Sequence, residues 1–406
     1  MCSCGRRTSA FKEVKLRLPK LRWRIPNRKR ILILDFRGAR NLQNLFGVSA
    51  TTIVPLAEEA LVVPALLMML LTFRFSRISY YRALMQLAKP RALVSWIDTN
   101  PWFYRVSAHC DAPSFTFQNG IRTEFRPTEG RSMRDALVVA GNRDRLRCTA
   151  YFCFGEIARK MFSELISGDF VAVGSLPSNA IPVNHDAPTR DGIAMISSFP
   201  YLSPGLYEPI EKSTSFGAIG ALGVSFEDYF WSERRLALIL QEICRSRGVP
   251  LRVLGKRDGD FAAERFFYDD LLGVDNYIFH ENQAPYHHLQ FNYECVATVD
   301  STLGYEMLGR GEKVIFVSNR FVGVNAAGES FRFGYPLDIP PEGPFWTRST
   351  DSECIKALVA NVLDMPQQEW ERCEALLKTA LMEFDPGNVK FWQTMADYGI
   401  EPPSQL

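Results

Sequence analysis

Two series of short apolar runs, each run ending in turn residues and most separated by helix-length stretches, constrain this chain more than any single motif. The first series is "RILILDFRGAR", "ALVSWIDTNP", "SFTFQNG", "AYFCFG" and "DFVAVGS". An apolar run that stops at an acid and a glycine-containing turn is how a buried parallel strand meets its crossover helix. The second series is "GIAMISS", "PLRVLGKRD", "NYIFHEN", "CVATVD" and "KVIFVS", with the helical stretch "SFEDYFWSERRLALILQEICRSRG" after its first member. Between the two, "SLPSNAIPVNHDAPTRDG" (175–192) collapses into Pro, Asn, Asp and Gly and reads as a linker. The alternation predicts an α/β chain with two doubly wound sheets, and 406 residues suit two domains with a cleft between them.

The expected organisation is a basic arm over 1–29, an N-terminal domain over 30–180, a C-terminal domain over 190–385, and a last helix in 386–406. That helix is expected to pack back toward the first domain. In the long helix, Leu236, Leu238, Ile239, Ile243 and Cys244 approximate one apolar stripe, with Glu233, Arg234, Arg235, Glu242 and Arg245 elsewhere.

Net charge, +2, says little, but its distribution says more. The first thirty residues carry eleven Lys or Arg against one acid, Glu13. Within 6–30, Lys15, Arg17, Lys20, Arg22 and Arg24 alternate with apolar residues around Trp23, a pattern suited to an anionic membrane surface. Nucleic acid is not expected, because no stacking platform or zinc module accompanies the arm. The most membrane-like run, "ALVVPALLMMLLTF" (60–73), is too short to span and contains Pro64; it reads as a buried or interfacial helix. The basic start does not lead into the apolar core of a signal peptide. Nine cysteines without regular spacing suggest reduced thiols and a cytoplasmic setting, with peripheral attachment to the inner face of the plasma membrane through the arm. Cys2 and Cys4 lack the further ligands of a zinc site, so no metal is assigned.

Ligands of open α/β sheets collect beyond the carboxyl ends of the strands, where the first turns of helices present unpaired N–H groups. "CVATVDSTLGYEMLGRGEKVIFVS" (295–318) has that layout: a strand, the turn Asp300-Ser301-Thr302, and a short helix ending near Gly311. Ser301 and Thr302 offer hydroxyls to a phosphate, and Glu306 could accept from ribose hydroxyls. Capping alone would also select Asp, Ser, Thr and Gly at these places. Lys256 and Arg257 end another strand as cations suited to a diphosphate, and His287 and His288, which precede the strand leading to the turn, are further candidate donor contacts; solvated surface and ring packing are the plain alternatives.

In the first domain, Asp98 ends a strand and is the candidate general base for an acceptor hydroxyl, the alternative being an Asp that serves its turn; Asn100 and Pro101 follow as helix cap and first residue. Gln118, Asn119 and Gly120 end the next strand, where amides could orient a sugar and the glycine admits a close approach. G-x-x-x-x-G-K-[ST], G-x-S-x-G, H-E-x-x-H and a dinucleotide G-x-G-x-x-G turn are absent, which disfavours P-loop, hydrolase, zinc-protease and classical NAD readings.

The chain resembles the bacterial surface-carbohydrate biosynthesis proteins, which are similar to glycosyltransferases of the GT-B fold and more distantly to CDP-glycerol glycerophosphotransferases. The resemblance rests on "RILILDFRGA", "VSWIDTNPWFYRVS", "FTFQNGIRTE", "VAVGSLPSN", "LRVLGKRDGDFAAERFFYDDLLG", "VDSTLGYEMLGRGEKVIFVS" and "GPFW", in consistent order over roughly residues 30–350. It implies two facing Rossmann-like domains and donor contacts for Ser301, Thr302, Gly304 and Glu306, with Asp300 in the same turn. The expected activity is glycosyl transfer from a nucleotide-sugar to a hydroxyl of a surface-glycan precursor such as O-antigen or capsule, the acceptor being free or lipid-linked. No cofactor is expected, because Lys256, Arg257 and helix N–H groups can hold the leaving phosphate without a metal. The alternatives are a CDP-polyol phosphotransferase and a non-catalytic scaffold of the same fold.

Overall fold

The structure is a computed structural model that describes residues 20–28, 30–34, 38–54, 60–73, 75–121, 146–183, 192–199, 226–258, 261–283, 286–320 and 331–403. Most of the arm therefore lies outside the described residues.

The first lobe is a parallel sheet of six strands. In chain order they are β2 (Ile31–Leu34), β3 (Thr51–Val54), β5 (Ala92–Ser95), β6 (Ser114–Phe117), β7 (Arg147–Cys153) and β8 (Ser167–Ala172). Their spatial order is β3-β2-β5-β6-β7-β8, every pair parallel. Strand side chains alternate between faces, and the two faces of this sheet bury two separate cores. Leu32, Leu34, Leu93, Tyr151 and Cys153 pack on one side, against α2 (Val63–Leu71), α3 (Arg77–Ala88), α4 (Pro101–Ser107) and α5 (Glu156–Ser163). Ile31, Ile33, Val94, Ala150 and Phe152 pack on the other, against α1 (Ala39–Phe46). Burial on both faces explains why these strands read as continuous apolar runs. A small parallel ribbon, β1 (Lys20–Arg22) with β4 (Ala60–Val62), leads directly into α2. The tail of α2 is not buried, since Leu67, Leu70 and Leu71 are exposed.

A short helix, α6 (Leu176–Asn179), begins the connection to the second lobe. That lobe holds β9 (Ile193–Ile196), β10 (Leu251–Asp258), β11 (Ile278–Asn282), β12 (Cys295–Thr298), β13 (Val314–Val317) and β14 (Trp346–Thr347). The order is β11-β10-β9-β12-β13-β14, again all parallel. The helices are α7 (Phe226–Arg247), α8 (Ala262–Leu272), α9 (Thr302–Gly309), α10 (Ser352–Asp364) and α11 (Gln367–Leu381). The α7 stripe differs from the expected one in two places: Leu238 is exposed, while Glu233 is fully buried.

After α11 the chain returns to the first lobe. The Glu383 N–H donates to the Phe154 carbonyl at 2.7 Å, and Phe384 bridges Gly174. The last helix, α12 (Val389–Ala396), sets Phe391 and Met395 into the core of the first sheet beside Phe46, Phe117 and Phe152.

Candidate active site between the lobes

Strand order alone marks one place in each sheet. In the second, the chain runs outward from β9 through β10 to β11, then crosses back to β12 on the other side of β9. The carboxyl ends at such a reversal form a crevice where ligands of open sheets bind. The Asp300-Ser301-Thr302 turn follows β12 at that point. In the first sheet the reversal falls between β2 and β5, and Asp98 follows β5.

The two rims meet. The backbone N–H of Ile121, just after β6, donates to Thr302 Oγ1 at 3.2 Å. Ser301 is the N-cap of α9, its hydroxyl accepting from the Leu303 N–H at 3.3 Å. Buried Thr298 anchors the turn from below by accepting from the Ser301 N–H at 3.1 Å. Capping chemistry and a ligand-facing helix end therefore coincide in the same residues. Gly304 has a packing reason: a Cβ there would stand 2.6 Å from Thr298 Cγ2, so glycine lets α9 lie against β12.

Asp300 is held by a residue that the sequence reading missed. Arg320, fully buried after β13, donates from Nε to Asp300 Oδ2 at 2.6 Å and from Nη2 to Oδ1 at 3.1 Å. The same guanidinium pairs with Glu233 of α7. Burial raises the Glu233 carboxyl above its usual range, Arg320 pulls it down, and the neighbouring Asp300 charge pushes it up. Glu233, set apart from the apolar stripe in the sequence, shares the spacing of Leu236, Leu240 and Cys244 on the buried face of α7, and that spacing is the signal that marks it.

Glu306 is placed differently from the ribose-facing position expected of it. It is 4% exposed, its carboxyl bonded to Ser175 of the interlobe connection and close to Arg310. Desolvation pushes it up to about 7, against the smaller lowering effects of Ser175 and Arg310. Arg310 itself donates to the carbonyls of Ser178, Ile181 and Pro182 at 2.9, 2.9 and 3.0 Å. Glu306 of α9 and Arg310 at its C-cap thus face the connection between lobes, and in this structure Glu306 is not presented to the gap.

On the acceptor side, Asp98 is 1% exposed, its Oδ2 accepting from the Tyr151 hydroxyl at 2.7 Å and its carbonyl from the Tyr104 hydroxyl at 2.6 Å. A carboxylate so enclosed braces its turn instead of standing open to a substrate, which corrects the simple general-base picture. Asn100 caps α4 through the Trp102 N–H at 3.0 Å. Gln118 is buried and spends its amide on loop structure: Nε2 donates to the Gly120 carbonyl at 2.9 Å, and Oε1 accepts from the Phe154 N–H at 2.8 Å. Asn119 is exposed, with Nδ2 donating to the Trp96 carbonyl at 2.9 Å.

Lys256 is exposed near the end of β10, its backbone N–H bound by the buried Glu264 carboxylate. The side chain of Arg257 lies outside the described residues, as do those of the Asp-x-Asp spacing that follows it, Asp258-Gly259-Asp260. His287 and His288 stand in a 3-10 turn, His287–Gln290, and His288 is buried with Nε2 2.8 Å from the Gly255 carbonyl.

Two parallel-sheet Rossmann-like lobes, the loop after β6 of the first meeting the reversal point of the second through Ile121 and Thr302, define a protein of the GT-B fold. The chain belongs to the family described as "putative O-antigen biosynthesis protein", which matches residues 115–399. The S. aureus MnaA structure with UDP is 12% identical at a TM-score of 0.51, over 93% of this chain and 100% of that one. A "putative UDP-N-acetylglucosamine 2-epimerase" from Listeria monocytogenes is 13% identical at 0.51, over 93% and 99%. The wall teichoic acid polymerase TagF is 12% identical at 0.49, over 91% and 88%. At these identities the likeness to the first two is one of fold. No curated protein matches the sequence.

Proposed function

We propose that this protein transfers a sugar from a nucleotide-activated donor to a hydroxyl of a cell-surface glycan precursor. The donor is held by the lobe of residues 190–385 and the acceptor by that of residues 30–180. The observation that carries this reading is the meeting of the α9 amino end, at the reversal point of the second sheet, with the acceptor-side loop at Ile121.

In this reading the donor diphosphate rests against the first N–H groups of α9 and the hydroxyls of Ser301 and Thr302. Lys256 and Arg257 add charge that stabilises the leaving phosphate. Arg320 fixes Asp300, and so the turn, before ligand arrives. Asp98 acts as a positioning acid that orients Tyr151 and the turn before Asn100. Gln118 and Asn119 shape the loop that presents the acceptor. Rate enhancement then comes from alignment of the two substrates and preorganised dipoles.

The reaction is placed at an anionic membrane surface, where a lipid-linked acceptor would lie. Support comes from an apolar projection on the first lobe: Leu71 is 79% exposed and Phe73 83%, with Phe75 also exposed. Trp23, at 73%, and the Lys20–Arg22 strand stand beside the base of the same helix. Among the described residues no helix is long and apolar enough to cross a membrane.

The test is a thermal-stability panel of UDP-, GDP-, CDP- and CMP-linked donors. One nucleotide class should raise the melting temperature of the native chain and leave a Ser301→Ala, Thr302→Val variant unmoved. The absence of a shift with every donor would favour a non-catalytic scaffold, and a shift with a CDP-polyol alone would favour phosphotransfer.

A further inference from the structure

Three of the five histidines of the chain converge on one place that the proposed transfer reaction does not use. His280 lies in β11, the edge strand of the second sheet, and His287 and His288 in the 3-10 turn that follows it. Their ligand atoms all lie within 4.8 Å of one another. The ring centroids are 5.1 Å apart for His280–His288, 5.7 Å for His280–His287 and 6.2 Å for His287–His288.

The surrounding polar groups restrict which nitrogen each ring can offer. The Gly255 carbonyl is 2.8 Å from His288 Nε2, and a carbonyl can only accept. Nε2 therefore carries the proton and Nδ1 is the lone-pair atom, as in the carbonyl-oriented imidazoles that surround bound metals. The Tyr293 hydroxyl stands 3.0 Å from His280 Nδ1 and holds that ring with Nε2 as its other nitrogen, the hydroxyl donating or accepting according to the tautomer. His287 Nδ1 is buried without a hydrogen-bond partner among the described residues. Leaving such a polar atom unsatisfied costs ~1–3 kcal/mol.

Aromatic packing is the plain alternative, since Phe291 lies 4.3 Å from the His280 ring and 5.1 Å from that of His287. Packing asks only for rings, whereas here nitrogens gather, the His288 and His280 rings each held by a hydrogen-bonding neighbour. On one tetrahedral zinc, with bonds of about 2.0–2.1 Å, imidazole nitrogens stand roughly 3.4 Å apart. The cluster therefore has to close by up to about 1.4 Å, a side-chain adjustment.

We propose that His280, His287 and His288 form a binding site for a divalent transition-metal ion, zinc being the member best suited to three neutral imidazoles. The fourth tetrahedral position is left for water or a ligand oxygen. The site sits at β10 and β11, two and three strand spacings, or about 10 to 14 Å, from β12 and its turn. It lies away from the α9 amino end but beside Gly255, the chain neighbour of Lys256, and it is tested by metal uptake in the absence of any donor.

The test uses the full chain without an affinity tag, stripped with a chelator and titrated calorimetrically with zinc alone. One ion should bind per chain, and the cobalt adduct should show the intense visible bands of a tetrahedral site. His280→Ala and His287→Gln should each weaken zinc binding at least tenfold, while His109→Ala leaves it unchanged. Circular dichroism of the metal-free variants checks their folding. Should the His280 variant fail to fold, the half-buried His287 and the stoichiometry of the native chain decide. Failure of the native chain to take up one equivalent of zinc, or equal affinity in folded His287→Gln, overturns the proposal.

Discussion

The N–H of Ile121 and the hydroxyl oxygen of Thr302 join the two lobes at the reversal point of the second sheet, 3.2 Å apart. The hydroxyl accepts there and so keeps its own hydrogen to donate. One residue can thus tie the acceptor loop and hold a donor phosphate together. Thr302→Val should lower donor affinity by about 10- to 100-fold, the loss of one hydrogen bond to a charged group. Thr302→Ser should stay within about threefold. Calorimetric titration with the nucleotide found by the donor panel measures both. Equal binding by the valine variant would remove Thr302 from the site.

Arg320 stands between two carboxylates, Glu233 and Asp300. Replacing it with Met leaves the fully buried Glu233 and the half-buried Asp300 without their cation, and breaking a buried pair costs about 3–5 kcal/mol. Urea denaturation should show that loss for Arg320→Met. A second substitution, Glu233→Leu, should recover part of it by removing one unpaired carboxyl. If the double variant is no more stable than the single one, the Glu233 charge is not what makes the loss large.

The sheets, their alternation and the return of the last helix were legible because strands buried on both faces read as apolar runs, while turns declare themselves through Asp, Asn and Gly. The edge strand Thr51–Val54 and the two-residue β14 lack that signal, being half polar or too short. The turn at Ser301 was legible through its capping chemistry. Direction was not: Glu306 stands one helical turn from Ser301, yet it faces Ser175, because only the packing of α9 on the interlobe connection sets its azimuth. The role of Arg320 likewise depends on Glu233, 87 residues earlier in the chain.

Glu306 gives the fold a pH dependence. Its carboxyl is pushed from an ordinary 4.5 to about 7, chiefly by desolvation. Between those values the folded chain binds the proton more tightly than the unfolded chain does. The stabilising contribution is therefore complete below pH 4.5 and is lost as pH rises through 7. The full swing is about 3 kcal/mol. Glu306→Gln, which keeps the shape and cannot ionise, should flatten this part of the stability profile. Chemical denaturation of both proteins at half-unit steps from pH 4.5 to 8 reads the difference directly, and superimposable slopes would refute the assignment.

The exposed end of α2 makes the membrane part of the proposal testable without touching the site. Leu71 and Phe73 make few packing contacts to lose, so Leu71→Ser with Phe73→Ser should change stability by no more than about 0.5 kcal/mol each. If the two side chains enter a bilayer interface, their removal forfeits about 1.5–3 kcal/mol apiece. Sedimentation with phosphatidylglycerol vesicles should then fall at least tenfold, while donor binding in solution is unchanged. Raising the salt concentration should weaken the native chain's binding as well, because Lys20, Arg22 and Arg24 act over a Debye length of only about 10 Å at 0.1 M. Vesicle binding that survives the double substitution would show that α2 is not the inserting element.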